Sequence, residues 1–426
     1  MKLDITDIND AFSPTHEIND PNKFIGRYEE IDSLILGLST ESSFLSIFGL
    51  RGIGKSSIAK QIKLIAEGDK TLPKELGLDY LLPKKGFNFM VHLVSCDDFI
   101  INIKSLITRI LLGDDQNESI FSHNKNGNKR ATTFKEKEKA TLGANAYIFK
   151  GEVEGEDETT YENRITDDLI QEFRQALSTT QKDNQDKSGL LILIDEFDIL
   201  KDKDGFASLV KTCSSKFIKF GVIGIGESIE DLVEDHASVA RQISSVLVKP
   251  MNKKELRLII NNAVGSLKKE ITFDDCVIED IVKEAEGFPY FVHLLGKESL
   301  LLAFKRKLKK IDDALYLEVK TNLIKGKFQL TQEFRYIDTC RTSAERELIL
   351  KLFALSDENN ILIEDIYEMA REYGIDTPSK YLEKLIEKDK IEPILVTSRD
   401  KRHVRFSDPI LKVYVKKREY IHNKYH

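Results

Sequence analysis

Short apolar runs alternate with amphipathic segments between Phe44 and about Lys249. The clearest runs are SFLSIF, FNFMVHLVS, LLILID and FIKFGVIGIG, and each is apolar enough to form a strand that is buried on both faces. Strands of this kind are typical of parallel sheets whose two faces are covered by helices. The pattern therefore predicts an α/β core built on a parallel sheet.

The pattern changes after Pro250, where the strand-like runs stop. The segments KKELRLIINNAVGSL, DDCVIEDIVKEAEG, PYFVHLLGKESLLLAFKRKL and IDDALYLEVKTNLI carry apolar residues at three- and four-residue spacing, which predicts a helical lid domain over 251–327. From about Phe328, three more amphipathic helices precede two strands with a basic tip between them. That order predicts a C-terminal winged helix-turn-helix domain over 328–426.

The sheet core is expected over 21–250, after an N-terminal extension over 1–20. A polar and charge-rich segment over 113–164 interrupts this core, and its one alternating patch, TLGANAYIF, predicts a small hairpin. Long polar loops are usually surface elaborations, which is the interpretation we favour, with a contact surface for a partner as the alternative.

Composition narrows the class of protein. The chain has 426 residues, of which 41% are hydrophobic, and its four cysteines lie far apart, so neither a disulfide framework nor a structural zinc site is predicted. The N-terminus lacks a basic start before an apolar stretch, and no apolar run reaches the roughly 18 residues of a membrane span. We therefore expect a cytoplasmic protein without a membrane partner.

Charge is unevenly distributed along the chain. The formal net charge is −7, whereas the segment from Lys390 to His426 holds ten Lys or Arg and four Asp or Glu, a local +6. Only the C-terminal end is thus suited to a polyanion such as DNA.

The stretch FGLRGIGKSS follows the first strand run and contains the P-loop pattern Gly49-x-x-x-x-Gly54-Lys55-Ser56. Glycines allow the backbone to turn its N–H groups toward phosphates, and the start of a helix adds positive potential. Lys55 is expected to reach the β and γ phosphates, and Ser56 to bind Mg²⁺. The predicted nucleotide contacts in this stretch are Gly49, Arg51, Gly52, Ile53, Gly54, Lys55, Ser56 and Ser57.

The run LLILIDEFDIL ends in Asp195 and Glu196. Asp195 is placed to hold Mg²⁺ through water, and Glu196 to polarise an attacking water. An acidic strand end is often only solvated, and Asp198 has the same simple interpretation. Together with the P-loop, however, the pair predicts hydrolysis of ATP with Mg²⁺ rather than binding alone.

A family resemblance rests on several stretches together: FIGRYEE, GLRGIGKSS, LILIDEFD, GIGES, HASVARQ and EGFPYFVHLLG. They resemble the Orc/Cdc6-related and STAND ATPases of the AAA+ group, which have a P-loop NTPase core. The resemblance implies that Ile25, Gly26 and Arg27 border the adenine and that Pro289 closes the base pocket from the lid.

The resemblance also implies a sensor at Glu227 or Ser228. Arg241 corresponds to an arginine finger, which would stabilise charge on the nucleotide of a neighbouring subunit and so implies a homo-oligomer. Arg241 could equally be a surface ion-pair residue. His293 lies near the second sensor position, although a packing role is the simpler interpretation.

The predicted recognition helix runs from Pro378 to Lys390 and carries Lys380 and Lys384. The expected phosphate contacts of the hairpin are Arg399, Lys401, Arg402 and Arg405, with the run Lys416 to Arg418 beside them. Two functions stay open. The chain could be an ATPase switch, slow or partner-stimulated, that assembles on double-stranded DNA. It could instead be a signalling NTPase whose winged helix contacts a separate effector protein.

Overall fold

The computed structural model of this chain describes residues 3–113, 119–121, 158–226, 228–229, 243–325, 330–356, 358, 360–386, 393–398 and 400–425. They form two compact units. The first combines Met1–His16, Leu50–Ile53 and Pro250–His426, and the second combines Glu17–Gly49 with Gly54–Lys249. The predicted hairpin TLGANAYIF lies outside the described residues.

The strands, in chain order, are β1 Phe44–Gly49, β2 Phe89–Ser95, β3 Gly189–Asp195, β4 Ile218–Ile225, β5 Ile243–Val248, β6 Thr272–Phe273, β7 Lys310–Ile311, β8 Ile361–Leu362, β9 Leu395–Thr397 and β10 His403–Phe406. The helices are α1 Ile5–Ala11, α2 Tyr28–Ser39, α3 Lys55–Glu67, α4 Thr71–Glu75, α5 Ile103–Leu112, α6 Glu158–Asp183, α7 Phe206–Cys213, α8 Lys253–Ser266, α9 Asp275–Glu284, α10 Pro289–Lys305, α11 Asp313–Ile324, α12 Leu330–Cys340, α13 Ala344–Leu355, α14 Ile363–Glu372, α15 Pro378–Ile386 and α16 Pro409–Lys417.

The second unit is built on a five-stranded sheet in the order β2-β3-β4-β1-β5. Its neighbouring strands pair in parallel, with Phe44 of β1 opposite Phe220 of β4 on one side and Ile243 of β5 on the other. The predicted α/β core with a parallel sheet is therefore confirmed. Helix α6 begins at Glu158, so it overlaps the end of the segment over 113–164 that the sequence predicts as a polar insertion.

Strand β3 lies in the middle of this core, and all seven of its residues are buried. Leu190, Ile192 and Ile194 belong to the cluster formed with α5, α6 and α7. Because successive strand residues point to opposite faces, Leu191 and Leu193 face the other side, where α3 packs on β1, β3 and β4. This two-sided burial explains why the run is continuously apolar.

In the first unit, helix α1 of the N-terminal segment packs against helices from much later in the chain. Helix α1 packs against α8 and α10, and Ile8 and Phe12 are fully buried. A Cβ at Gly296 of α10 would overlap the Phe12 ring, so the glycine makes room for the aromatic side chain. Phe12 also packs edge-on against His293, with 5.9 Å between ring centroids.

The C-terminal part of the first unit contains α12 to α16 and a three-stranded sheet in the order β8-β10-β9. The three helices and the hairpin expected from the sequence are present in the predicted order, with β8 as an additional short strand. A separate apolar cluster joins these elements. The interpretation of this order as a winged helix stays a prediction.

The chain end after α16 is held by a buried carboxylate. Glu347 of α13 is fully buried and accepts hydrogen bonds from the Tyr336 hydroxyl at 2.5 Å, from the Ile421 N–H at 2.6 Å and from the His422 N–H at 3.0 Å. The tail thus supplies two main-chain donors to this buried carboxylate. The end of the chain is therefore structural.

We predict that His293 makes the protein less stable as the pH falls. Burial lowers the pKa of His293 from 6.5 to about 4, and its Nδ1 accepts the Ser13 N–H at 3.3 Å. Between pH 6.5 and about pH 4, His293 therefore binds a proton in the unfolded chain but not in the folded chain. Urea unfolding at pH 7 and pH 5 should show a smaller loss of stability for His293→Gln than for the wild type. Equal losses would contradict the prediction.

Candidate nucleotide-binding site

The P-loop connects the end of β1 to the start of α3. Gly52 and Gly54 adopt left-handed backbone angles, with φ of 74° and 100°, which glycine adopts without the strain that a side chain would add. Helix α3 has no acidic residue in its first turn. The start of a helix presents main-chain N–H groups and the positive end of the helix dipole, a combination that favours an anion.

Gly52 is also a point of close packing within the first unit. A Cβ at this position would lie 2.8 Å from Cδ1 of Ile410 in α16 and 3.6 Å from Cβ of Tyr290 in α10. The absence of a side chain thus lets two helices of the first unit approach Gly52. No pattern around Gly52 predicted these neighbours, because they come from positions far along the chain.

Asp195 ends β3 as a largely buried carboxylate, with 8% of its surface exposed. Burial raises the pKa of Asp195, while a hydrogen bond from the Ser56 hydroxyl, the Glu196 N–H at 2.8 Å and the charge of Lys55 act in the opposite direction. Lys55 is itself buried, with 9% exposed. The structure thus brings together the three residues that the sequence predicts for phosphate and metal binding.

This group fits a magnesium ion. Mg²⁺ prefers oxygen ligands and is usually held by one or two carboxylates together with substrate phosphates. The hydroxyl of Ser56 and the carboxylate of Asp195 already share a hydrogen bond, so both oxygens point into one small region. Ser56 and Asp195 are the residues that would hold the metal.

Glu196 has a left-handed backbone, with φ of 54°, which is uncommon for a residue with a side chain. Its exposed carboxylate accepts a hydrogen bond from the Ser95 hydroxyl at 3.1 Å. Ser95 lies at the end of β2, opposite Asp195 in the strand register. Sequence reasoning missed Ser95, although a polar residue that ends a buried strand is a usable signal.

Asp198 is not simply solvated, as the sequence suggested. Its Oδ1 accepts the N–H of Ile225 at 2.7 Å, which joins the turn after β3 to the last residue of β4. The sensor position predicted at Ser228 follows that strand end. The alternative sensor, Glu227, lies outside the described residues.

The segment predicted to border the adenine has an unusual backbone, and its arginine side chain already has protein partners. Gly26 and Arg27 both have positive φ, of 72° and 66°. The Arg27 guanidinium is 5% exposed, pairs with Glu30 at 3.0 Å and donates to the Lys249 carbonyl at 2.5 Å. The main chain of Ile25 and Gly26 is therefore what this segment can offer to a base.

Several predicted site residues lie outside the described residues, belong to the first unit, or already have a protein partner. Arg241 and Arg399 lie outside the described residues. Arg51 is exposed, and Pro289 begins α10; both belong to the first unit. Ser57 is described, but its hydroxyl accepts the Ile18 N–H at 3.0 Å and so already has a protein partner.

The basic residues of the C-terminal part fall into two groups. Lys380 and Lys384 are exposed on α15, and Lys401 and Arg402 are exposed at the hairpin tip, with Arg405 half-buried on β10. At the tip, the Asp400 carboxylate accepts the Ser398 hydroxyl at 2.6 Å and the Arg402 N–H at 2.9 Å, which fixes the turn.

The run from Lys416 to Arg418 does not form the phosphate-contact surface that the sequence predicts. Lys416 pairs with Glu286 at 3.1 Å, Lys417 pairs with Glu284, and Arg418 pairs with Glu333 at 2.8 Å. The prediction is wrong for these three side chains because their acidic partners lie far away in sequence.

The structure is similar to several solved ATPase structures. A Walker-type ATPase of Pyrococcus abyssi is 16% identical with a TM-score of 0.49, and the match covers 94% of this chain and 99% of that one. The Orc2 protein of Aeropyrum pernix, solved as ADPNP–ADP complexes, is 12% identical with a TM-score of 0.49, and the match covers 95% of this chain and 96% of that one. Cdc6p of Pyrobaculum aerophilum is 12% identical with a TM-score of 0.45, and the match covers 96% of this chain and 97% of that one.

Two of these names belong to the Orc/Cdc6 group that the sequence motifs resemble. No family model matches the chain, and no curated protein matches its sequence. Because each similarity is below 25% identity and each TM-score is below 0.5, a function for this chain has to be argued from its own residues. Within the described residues, no helix is long and apolar enough to cross a membrane.

We predict that Gly52→Ala weakens ATP binding more than its effect on stability explains. Gly77 has a similar φ, 68° against 74°, and no atom lies within 4 Å of a Cβ built there, so Gly77→Ala is the matched control. Both variants should lose about 1 kcal/mol of unfolding free energy from left-handed strain, and Gly52→Ala should lose somewhat more because its Cβ meets Cδ1 of Ile410. Only Gly52→Ala should bind ATP more weakly in calorimetry, and equal affinities for the two variants would contradict the assignment of the loop.

Proposed function

We propose that the chain is an AAA+-type ATPase that binds and hydrolyses Mg²⁺-ATP and works as a nucleotide-dependent switch. The observation that carries the proposal is the hydrogen bond between Ser56 and the buried Asp195, formed beside the buried Lys55 at the start of α3. A strand that ends in an acidic pair, next to a glycine loop and the start of a helix, suits the binding of a triphosphate with its metal.

Each residue of the group has a separate task. The main-chain N–H groups and Lys55 bind the β and γ phosphates, and Ser56 and Asp195 hold Mg²⁺, which when bound neutralises charge on those phosphates. Glu196 is exposed beside this group and takes the role of the base that orients and polarises the attacking water. Its hydrogen bond from Ser95 holds the carboxylate in place until a water is present.

We further propose that the protein works as a homo-oligomer in which Arg241 acts on the nucleotide of a neighbouring subunit. The support is the sequence resemblance alone. An arginine supplied in trans makes hydrolysis slow in the free subunit and faster on assembly, because charge on the transferred phosphoryl group is stabilised only when the neighbour is present.

We predict that Lys55→Ala abolishes ATP binding, whereas Glu196→Gln binds ATP but hydrolyses it about 100 to 10,000 times more slowly. Filter binding with labelled ATP and a phosphate-release assay separate the two defects. The matched control is Glu41→Gln, the same change of charge in a residue just before β1, at the opposite end of that strand from the P-loop. Wild-type turnover in Glu196→Gln would exclude it as the base.

We propose double-stranded DNA as the partner of the C-terminal part, with the hairpin tip and α15 as the contact surface. Lys401 and Arg402 support this because they are exposed on a turn that Asp400 holds in place. Lys380 and Lys384 extend the surface along α15, and the exposed Glu383 between them weakens it. The hairpin tip is therefore expected to supply most of the phosphate contacts.

The double variant Lys401→Ala/Arg402→Ala should weaken duplex binding and reduce the slope of log affinity against log salt by about 2. The double variant Lys211→Ala/Lys216→Ala, which removes two exposed lysines of the second unit, is the control and should leave the slope unchanged. Fluorescence anisotropy with labelled duplex at several salt concentrations measures both. If the wild type shows no salt-dependent binding, the alternative of a separate effector protein is favoured.

A further inference from the structure

The first turn of α16 places a side chain directly against Gly52. A Cβ built on Gly52 would lie 2.8 Å from Cδ1 and 3.2 Å from Cγ1 of Ile410, and 3.6 Å from Cβ of Tyr290. Gly52 belongs to the stretch Leu50–Ile53 of the P-loop, which falls in the same compact unit as α10 and α16. Ile410 therefore occupies the space that a side chain at position 52 would need.

Ile410 is buried, although it lies outside the apolar core of the C-terminal part. Leu411, Tyr414 and Val415 of α16 belong to the apolar cluster that joins α12 to α16. Ile410 is only 6% exposed, yet it is not a member of that cluster. The contact with Gly52 therefore accounts for part of the burial of this side chain.

The first turn of α16 is fixed by a buried ion pair. The Ile410 N–H donates to Oδ1 of Asp408 at 2.9 Å, so Asp408 caps the helix. Asp408 is 3% exposed, and its other carboxylate oxygen lies 3.7 Å from the Arg335 guanidinium of α12. Arg335 also donates to the Ser407 hydroxyl at 3.1 Å. The main chain that carries Ile410 is thus held by charged groups on two elements.

The last turn of α16 is fixed as well. Lys416 pairs with Glu286 at 3.1 Å, and Lys417 pairs with Glu284 at the end of α9. Because both ends of the helix are tied to other elements of the first unit, α16 resists movement away from Gly52. The contact between Ile410 and Gly52 is therefore a built feature of the first unit.

We propose that Ile410 is a positioning residue of the P-loop, and this inference rests on the proposed ATPase function. Glycine has more backbone freedom than any other residue, so a glycine loop loses much freedom when it binds a ligand. Packing of Ile410 against Gly52 restricts the loop beforehand, with φ of Gly52 at 74°. A loop restricted in this way binds ATP more tightly, because less ordering is left for the binding step. The C-terminal part of the chain thereby takes part in ATP binding.

The test is Ile410→Val, which removes Cδ1, the atom that lies nearest to a Cβ built on Gly52. The matched control is Ile349→Val, which removes the same atom from a fully buried isoleucine of α13. Urea titration should show similar losses of stability for the two variants. Calorimetry with Mg²⁺-ATP should show binding about three- to fivefold weaker for Ile410→Val, the effect of one buried methylene, and unchanged binding for Ile349→Val.

Equal ATP affinities for Ile410→Val and Ile349→Val would overturn the inference, because a merely structural role of Ile410 changes stability without changing ATP affinity relative to the control. In that case the ATPase proposal stands as long as the wild type binds Mg²⁺-ATP. If the wild type binds no Mg²⁺-ATP, the ATPase proposal fails and the inference fails with it.

A double variant tests whether Gly52 and Ile410 act on ATP binding through their contact. Gly52→Ala places a Cβ where Cδ1 of Ile410 lies, and Ile410→Val removes that atom and makes room. The fold-loss of ATP affinity in Gly52→Ala/Ile410→Val should therefore be smaller than the product of the two single losses. A loss equal to that product would show that the two residues act independently and would contradict the proposal.

Discussion

The buried carboxylate of Asp195 is the charge on which the arrangement of the second unit depends. A carboxylate that is only 8% exposed is costly unless hydrogen bonds and opposite charge compensate for the lost water. Ser56, the Glu196 N–H and Lys55 provide that compensation, and two of these groups come from the loop and helix that follow β1. The P-loop and the acidic strand end therefore stabilise each other before any ligand is present.

The parallel sheet makes this possible because its strands all end at one edge. Ser95 at the end of β2 holds Glu196, and Asp198 after β3 holds the last N–H of β4. Residues from separate parts of the chain thus fix the polar groups that surround the phosphate site. Ile18 is hydrogen-bonded to the P-loop helix as well, because its N–H donates to the Ser57 hydroxyl and its carbonyl accepts from the Gln61 side chain.

Local patterns were enough to predict the sheet, the P-loop and the acidic pair, since continuous apolar runs and glycine spacing act within about ten residues. Contacts that depend on strand register or on distant chain segments could not be read in this way. Ser95 and Asp198 acquire their roles from neighbouring strands, and Phe12 finds its place over Gly296 only in the folded helical domain. The prediction that the run from Lys416 to Arg418 contacts phosphates was wrong for the same reason, because the glutamate partners of these residues lie more than 80 positions earlier.

A crystal structure with Mg²⁺ and a non-hydrolysable ATP analogue tests the central claim most directly. The account predicts that the β and γ phosphates contact the main-chain N–H groups at the start of α3 and the ammonium group of Lys55. It also predicts metal density beside a phosphate oxygen, Ser56 and the Asp195 carboxylate. An analogue bound elsewhere, or an analogue bound here with no metal beside Ser56 and Asp195, would contradict it.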